Sequence, residues 1–313
     1  MKYFCNIIPE FCSPDVQKKI LHFYENLEKQ GLIPDILNLK LDYYDLKSNN
    51  LFFISLNKDT EFHLQDLMNK MDCKTTRIVI ITSEEENYFD FAIEHNICNI
   101  IHVKRLNENL LLGILNCFLK ENLNLESFFE NKKKIIDKYY CLSGNISMLK
   151  LIENTFTDFI EEMRSEIRNT FIINCHELVT NAIAYGVLGI TAYARDKKER
   201  DTTHYTSINI PQNKKIKVRL LMGEDLYGIS VKDSSGLLTI QRILERIRRQ
   251  SVVAGETIPQ GIEDYTGRGL AILCHLGILI FSIKPGEFTE VSLISNLEAS
   301  FEKKPISILA AEI

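Results

Sequence analysis

The sequence contains no run of the roughly 18 to 20 consecutive apolar residues that a membrane-spanning helix requires. Its start, MKYFCNIIPEFCSPD, lacks the basic region and the long apolar core of a secretory signal peptide. Internal repeats and segments rich in Pro, Gly or Ser are also missing. We therefore expect a globular, cytoplasmic protein that does not act at a membrane.

Positive charge is not in excess, since 37 Lys and Arg stand against 42 Asp and Glu for a net charge of −5. This balance argues against direct nucleic-acid binding across the protein surface, and it leaves only a local basic patch open. Hydrophobic residues make up 45% of the 313 residues, which is a globular value. The length predicts two domains of ordinary size.

Cysteine occurs eight times, but no CxxC pair is present and most of the thiols lie in apolar runs. A disulfide framework is therefore not predicted. The nearest approach to a metal-ligand spacing is His95, Cys98 and His102, which lacks a fourth ligand. The segment FAIEHNICNIIHV fits a helix end followed by a buried strand better than a zinc site.

Strand and helix patterns alternate through residues 1–122. Short apolar runs predict five strands, which are YFCNII, DILNLKL, NLFFISL, RIVIITS and NIIHV. Apolar residues at helical spacing predict helices in DVQKKILHFYENLEKQG, EFHLQDLMNKM, NYFDFAIEHN and NENLLLGILNCFLKEN. Such alternation predicts an α/β domain with a doubly wound parallel sheet.

The ends of these strands resemble the receiver domain of response regulators. In that family the fourth strand ends in Thr or Ser, as at Thr82 and Ser83, and a Lys follows the fifth, as does Lys104. Ser55 stands where the family has its phosphate-accepting Asp, and no acidic pair follows the first strand. A hydroxyl cannot replace a carboxylate in that chemistry. The resemblance thus implies a pseudo-receiver that serves docking or dimerisation, and another flavodoxin-like domain is the alternative.

A charged segment, ESFFENKKKIIDK, predicts a linker over residues 123–133, or an edge strand, ahead of a second domain at residues 134–297 and a tail at 298–313. In this second domain NTFIINCHELVTNAIAYG is a helical pattern. Its predicted apolar face contains Phe171, Cys175, Leu178, Ala182 and Tyr185. Glu177 and Asn181 are four residues apart, so both side chains project from one face of the helix.

Three further motifs follow this helix in order. A strand pair, KIKVRLLMG and LYGISVKD, ends at Asp233 and a turn with Gly236. Gly267 and Gly269 flank Arg268 at the start of an apolar helix, where backbone N–H groups can approach a phosphate. The strand EFTEVSLIS carries Thr289.

The order E-x-x-x-N, D-x-x-G, G-x-G-L and strand Thr resembles the Bergerat-fold ATPases, which include gyrase, histidine kinases and the anti-sigma-factor serine kinases. The strings ELVTNAIAYG and TGRGLAIL look closest to the last group. The resemblance covers about residues 134–296 and implies an α+β two-layer sandwich that binds ATP and Mg²⁺.

Each motif residue takes a role from this resemblance. Glu177 would orient or deprotonate the attacking hydroxyl or water, and Asn181 would hold the Mg²⁺. Asp233 would accept a hydrogen bond from the adenine amino group, and Thr289 would bond near the adenine. Gly236, Gly267 and Gly269 would give backbone clearance, and Arg268 would lie within reach of phosphate.

Two features depart from the family pattern. Ser235 replaces the first Gly of the usual D-x-G box, and the segment 187–214 is longer than in the compact anti-sigma kinases. Residues 237–265 have the position of an ATP lid and include TIQRILERIRRQ, with Ile240, Ile243, Leu244 and Ile247 on one face. This helix fits a solvated lid or a partner surface equally well.

These observations predict a signalling regulator that works by binding a protein partner, such as a sigma factor or an anti-anti-sigma-like protein, and by phosphorylating a Ser or Thr on it. A homodimer is compatible with this reading. A non-catalytic nucleotide-sensing scaffold is the alternative. An atypical histidine kinase is less favoured, because the helical segment ahead of the ATPase motifs, SMLKLIENTFTDFIEEMRSEI, contains no His.

Overall fold

The computed structural model describes residues 3–7, 12–33, 37–40, 49–55, 69, 76–82, 89–130, 135–147, 151–189, 207–250, 268–297 and 306–312. The chain has an α/β fold and divides into two compact units. The N-terminal unit comprises Met1–Glu130 and Pro305–Leu309, and the C-terminal unit comprises Asn131–Lys304 and Ala310–Ile313.

The N-terminal unit contains a parallel sheet, as the alternating pattern predicts. Its strands are β1 (Tyr3–Asn6), β2 (Leu37–Lys40), β3 (Asn49–Ser55), β4 (Thr76–Thr82) and β5 (Ile100–His102). They lie in the order β2-β1-β3-β4-β5, and every neighbouring pair is parallel. The helices are α1 (Pro14–Lys29), α2 (Phe89–Glu94) and α3 (Glu108–Leu119). The helix predicted in EFHLQDLMNKM lies outside the described residues, apart from residue 69.

Helix α1 shows how local sequence sets its bounds. Pro14 occupies its first turn, where a missing N–H costs nothing. Gly31, with a φ of 70°, ends it, because the Leu32 N–H bonds Leu27 O and the Gly31 N–H bonds Glu28 O. The buried face consists of Val16, Ile20, Tyr24 and Leu27.

The first residues of the predicted linker pack within the N-terminal unit. A short 3₁₀ turn, Glu126–Phe128, is followed by buried Phe129. Asn116 of α3 donates to Ser127 O at 3.2 Å, and the Phe128 ring lies against Gly113 of the same helix. The N-terminal unit therefore continues beyond residue 122.

The C-terminal unit combines helices with an antiparallel sheet. Its described strands are β6 (Ile136–Leu142), β7 (Gly144–Ser147), β8 (Ser207–Ile210), β9 (Ile216–Met222), β10 (Leu226–Asp233), β11 (Ile278–Lys284) and β12 (Phe288–Asn296). The sheet order is β11-β12-β10-β9-β6, and β7 pairs with β8 in a separate two-stranded ladder. A last strand, β13 (Ile308–Glu312), lies in the predicted tail. Its first residue, Ile308, belongs to the N-terminal unit and pairs there with Ile100 of β5 in antiparallel orientation.

The described helices of the C-terminal unit are α4 (Leu151–Thr155), α5 (Thr157–Ile160), α6 (Ser165–Asn181), α7 (Ile240–Arg249) and α8 (Arg268–Leu276). Helix α6 packs on the sheet through aromatic contacts. The Phe171 ring lies 5.4 Å from Phe159 and 5.7 Å from Tyr227 of β10, and Asn174 donates to the Tyr227 hydroxyl at 2.8 Å. Among the helices that the structure describes, none is long and apolar enough to cross a membrane.

Candidate functional site

The end of helix α6 presents Glu177 and Asn181 at the protein surface. Both side chains are half-buried, one turn apart, while Cys175 and Leu178 between and beside them are buried in the core. This division follows from the helical period, which turns the apolar positions toward the sheet and leaves the two polar side chains together on another face of the helix.

Helix α8 begins against this pair. A Cβ added to Gly269 would overlap Oε2 of Glu177 and lie 3.7 Å from Nδ2 of Asn181. The structure therefore brings Glu177, Asn181 and Gly269 together, and the Glu177 carboxylate occupies the space that a side chain at position 269 would enter. Gly267 lies outside the described residues, and Arg268 is the first residue of α8.

Asp233 is the last residue of β10 and is only 7% exposed. Its Oδ1 accepts two hydrogen bonds from Ser235, at 2.8 Å from the backbone N–H and at 2.5 Å from the hydroxyl. Burial raises the pKa of the Asp233 carboxyl, and the two hydrogen bonds from Ser235 oppose that rise because they favour the charged form. A buried carboxylate near a strand end is thus held by local contacts on one of its oxygens.

Thr289 lies opposite Asp233 across the β10–β12 ladder. Directly paired residues of antiparallel strands project from the same face of a sheet, so the two side chains share one face. Thr289 is 4% exposed, and its hydroxyl is among the buried polar atoms of the described residues that have no hydrogen-bond partner. Such a hydroxyl is costly unless a ligand or water satisfies it.

Gly186 is a site residue that no sequence motif singles out. A π-helical turn, Ala182–Val187, follows α6 directly, and Gly186 in this turn lies against Asp233. A Cβ at Gly186 would come within 2.5 Å of the Asp233 Cγ and 2.6 Å of its Cβ. The turn therefore connects Asn181, at its start, with Asp233, near its end.

Gly236 has a structural reason to be glycine. Its φ is 56°, and a Cβ there would overlap the backbone carbonyl of Lys284 and approach the Gly286 N at 2.5 Å. The Gly286 N–H also bonds Gly236 O at 3.2 Å. The space beside Gly236, which the resemblance would leave for a nucleotide, contains the turn between β11 and β12.

The end of the long segment 187–214 contacts both sides of the site. Lys214 donates from Nζ to Val187 O at 2.9 Å, and Ser234 donates to Asn213 O at 3.4 Å. The π-helical turn and the loop after Asp233 are therefore both bound to the chain that leads into β9. Residues 190–206 of this segment lie outside the described residues.

Helix α7 buries the apolar face that the sequence predicts. Ile240, Ile243, Leu244 and Ile247 are all buried, so this face packs within the protein and is open neither to solvent nor to a partner. Thr239 caps the helix by accepting from the Arg242 N–H at 3.3 Å. The Arg246 guanidinium lies 5.8 Å from the Tyr185 ring of the π-helical turn. The remaining predicted lid residues, 251–265, are outside the described residues.

Lys19 lies at the carboxyl edge of the parallel sheet in the N-terminal unit, although the resemblance points to Lys104 there. Ser55, at the end of β3, is buried and donates to the Ser13 hydroxyl at 3.3 Å. Lys104 is exposed, whereas Lys19 of α1 donates from Nζ to Val103 O at 2.6 Å, directly after β5. Burial lowers the pKa of Lys19. Thr82 is buried at the end of β4, and Ser83 is outside the described residues.

Within the described ranges, no group of three or more His, Cys, Asp or Glu side chains is arranged to hold a metal ion. Where His95, Cys98 and His102 have a weak metal-ligand spacing, α2 ends at Glu94. The His95 ring is tilted against the Phe91 ring, with 4.3 Å between the ring centroids, and Cys98 and His102 are buried at β5. The helix end and buried strand predicted there are confirmed.

A scan against models of protein families and a search among curated proteins found no match to this chain.

Proposed function

We propose that the C-terminal unit binds ATP as a Bergerat-type ATPase domain resembling the anti-sigma-factor serine kinases. The observation that carries this proposal is the pairing of buried Asp233 with the unpartnered hydroxyl of Thr289 on one sheet face. The π-helical turn connects this pair with Glu177 and Asn181. The arrangement supports a ligand with a polar base at one end and phosphates at the other.

The Asp233 end favours adenine over guanine. A carboxylate accepts a hydrogen bond from the exocyclic amino group of adenine, whereas guanine presents a carbonyl at the same position. With guanine, the carbonyl oxygen and the Asp233 carboxylate would both be acceptors, and the buried carboxylate would have no donor from the base. Guanine nucleotides should therefore bind more weakly than adenine nucleotides. The Thr289 hydroxyl can donate to a ring nitrogen or to a water beside the base.

The Glu177 end fits the phosphates and Mg²⁺ of the nucleotide. The Asn181 carboxamide offers one oxygen, which is a ligand type that Mg²⁺ accepts together with phosphate oxygens and water. Bound Mg²⁺ would neutralise phosphate charge. Glu177 would orient a hydroxyl or water and accept its proton. Gly269 leaves the room that the carboxylate needs at the start of α8.

The N-terminal unit supports the pseudo-receiver reading. The strand order β2-β1-β3-β4-β5 is the order of flavodoxin-like sheets, which bind ligands at the carboxyl edge. At that edge Ser55 and Lys19 bond to protein groups, and a hydroxyl stands in the phosphate-acceptor position. This unit would serve as a docking or dimerising module.

The whole chain would then be a cytoplasmic signalling regulator that binds a protein partner and phosphorylates a Ser or Thr on it. A nucleotide-sensing scaffold without turnover is the second candidate. Ser235 favours this second candidate, because it replaces a glycine of the usual D-x-G box. Its two hydrogen bonds to Asp233 hold the carboxylate ready to bind a nucleotide, which a scaffold without turnover also requires.

Thermal unfolding of the full chain with Mg·ATP, Mg·ADP and Mg·GTP tests the proposal. Adenine nucleotides should raise the melting temperature by mass action, and GTP should not. Asp233→Asn should abolish most of the shift, because a neutral amide oxygen is a weaker acceptor. Asp137→Asn, which removes a carboxylate bound to Arg219 on the same sheet, is the matched control and should keep the shift. Equal stabilisation by GTP, or none by ATP, contradicts adenine binding.

A further inference from the structure

Ser235 departs from the glycine expected in the D-x-G box, and its contacts give that departure a physical role. The backbone N–H and the hydroxyl of Ser235 both donate to Oδ1 of Asp233. A glycine at position 235 could supply only the backbone N–H. The serine therefore adds one hydrogen bond to the carboxylate, at a donor–acceptor distance of 2.5 Å.

These bonds leave the two oxygens of Asp233 in different situations. Oδ1 carries both hydrogen bonds that the described residues donate to this carboxylate. Gly186 packs against the same side chain, so the carboxylate is held from the π-helical turn as well as from its own loop. Oδ2 accepts no hydrogen bond from the described residues and is the oxygen left for a ligand.

We propose that Ser235 is a positioning residue, which fixes Asp233 through Oδ1 and keeps Oδ2 as a charged acceptor for an amino group of the ligand. This inference rests on the proposed function, since the ligand in question is the adenine nucleotide. Its physical basis is the hydroxyl, because a hydrogen bond to a charged oxygen is about twice as strong as one between neutral groups.

The electrostatics of the site support this role. Burial raises the pKa of Asp233, and Ser235 is the group that opposes the rise; no charged side chain of the described residues contributes. The ionisable groups on the elements packed nearby are engaged elsewhere. They are Lys214 on Val187 O, Lys284 with Glu287, Glu290 with Lys232, and Tyr185 beside Arg246.

The test compares Ser235→Ala with Ser235→Thr, which restores the hydroxyl, and with Ser234→Ala as the matched control. The Ser234 hydroxyl faces Asn213 O and not Asp233. Affinity of the full chain for Mg·ADP is measured by calorimetry from pH 4.5 to 8.5. Titration of the nucleotide phosphates is common to all variants and cancels in the comparison.

Loss of the hydroxyl should raise the pKa of Asp233 and move the acidic loss of affinity to higher pH. Ser235→Ala should therefore bind Mg·ADP on the order of tenfold more weakly than wild type on the acidic limb, with a difference of less than about threefold at pH 8.5. Ser235→Thr and Ser234→Ala should follow the wild-type curve. Equal weakening at every pH, or a curve identical to wild type, overturns the proposal.

Urea unfolding without nucleotide separates this inference from the proposed function. The pKa of Asp233 is higher in the folded protein than in the unfolded chain, so ionising this carboxyl lowers the free energy of unfolding. That loss of stability begins as the pH rises through the unfolded pKa and is complete above the folded pKa. Without the hydroxyl that loss increases, and Ser235→Ala should be more destabilised at pH 8 than at pH 4.5. Wild type that binds no adenine nucleotide at any pH contradicts the proposed function, whereas equal destabilisation at both pH values overturns the role of Ser235.

Discussion

Thr289 on β12 is the direct cross-strand partner of Asp233 on β10, and both side chains are buried on the same face of the sheet. The Asp233 carboxylate has an oxygen that no described residue binds, and the Thr289 hydroxyl has no hydrogen-bond partner in the described part of the chain. A folded protein bears the cost of such groups where binding repays it.

Thr289→Val should separate folding from binding. The substitution removes an unpartnered buried hydroxyl at nearly constant volume, so the free energy of unfolding should stay the same or rise by up to about 1 kcal/mol. Affinity for Mg·ADP should fall about fivefold, the scale of one net hydrogen bond. Urea unfolding and calorimetry measure the two quantities, and Thr289→Ser is the control that keeps the hydroxyl. A loss of about 2 kcal/mol or more, the cost of leaving a buried polar group unpaired, would mean that the hydroxyl has a partner in the folded protein.

Gly269→Ala should lower turnover more than affinity. The added methyl group would overlap the free end of the Glu177 side chain, which can move aside, so stability should change by less than about 1 kcal/mol. The displaced carboxylate would no longer orient the nucleophile. Steady-state phosphate release measures turnover. When Glu177 is already alanine, Gly269→Ala should lower turnover no further. If the two losses of turnover add, the Gly269 substitution acts on something other than the Glu177 side chain.

Gly186→Ala should weaken both folding and nucleotide binding. The methyl group would overlap the Cβ and Cγ of Asp233, which are near the backbone and cannot move far, so we expect a cost of about 1–3 kcal/mol. Gly113→Ala is a matched control, because its Cβ would overlap the Phe128 ring in the N-terminal unit. It should be destabilised to a similar degree and bind Mg·ADP as wild type does. Weaker binding in both variants would mean that instability alone reduces affinity.

Glu177→Ala and Asn181→Ala should fail differently, since chemistry and binding are separate free-energy terms. The first should keep nucleotide affinity within a few-fold and lose roughly 10²-fold in phosphoryl transfer or hydrolysis, the usual scale for a general base. The second should weaken Mg²⁺-dependent binding itself. Wild type without turnover above background, even with its partner present, favours the scaffold.

The N-terminal unit should accept no phosphoryl group from acetyl phosphate. Ser55 is buried, bonded to Ser13 and far less acidic than the aspartate of an active receiver. Intact mass measurement of the full chain after incubation with acetyl phosphate and Mg²⁺ should show no addition. A stoichiometric adduct that hydroxylamine removes would reveal an acyl phosphate and a different acceptor.

Local patterns predict the elements of this fold well. Strand β10 ends at Asp233, α1 ends two residues before Gly31, and the buried face of α7 consists of the four apolar residues that its spacing selects. Each of these features depends only on residues close together in the sequence. The helical or strand period selects the buried positions, and a glycine ends the element. The parallel order of the first five strands also follows, because strand and helix alternate there.

Contacts between distant segments could not be read in the same way. Tyr185 is expected on the buried face of α6 but is half-buried, because the π-helical turn contains an extra residue and shifts the face that follows Asn181. Hydrophobic period does not distinguish a π-helical turn from an α-helical one. The choice of Lys19 over Lys104 at the end of β5 likewise depends on how α1 packs, which no local pattern contains.

The π-helical turn fixes how the residues between Asn181 and Gly186 are wound. An α-helix advances about 100° per residue and a π-helix less, so the same residues rewound as an α-helix would carry Gly186 further around the axis and away from Asp233. Deleting one residue within the turn would remove its extra residue, and an α-helical turn would then return Gly186 close to its present direction. A single insertion would instead displace Gly186 from Asp233, so one residue lost within this turn should be tolerated better than one residue gained.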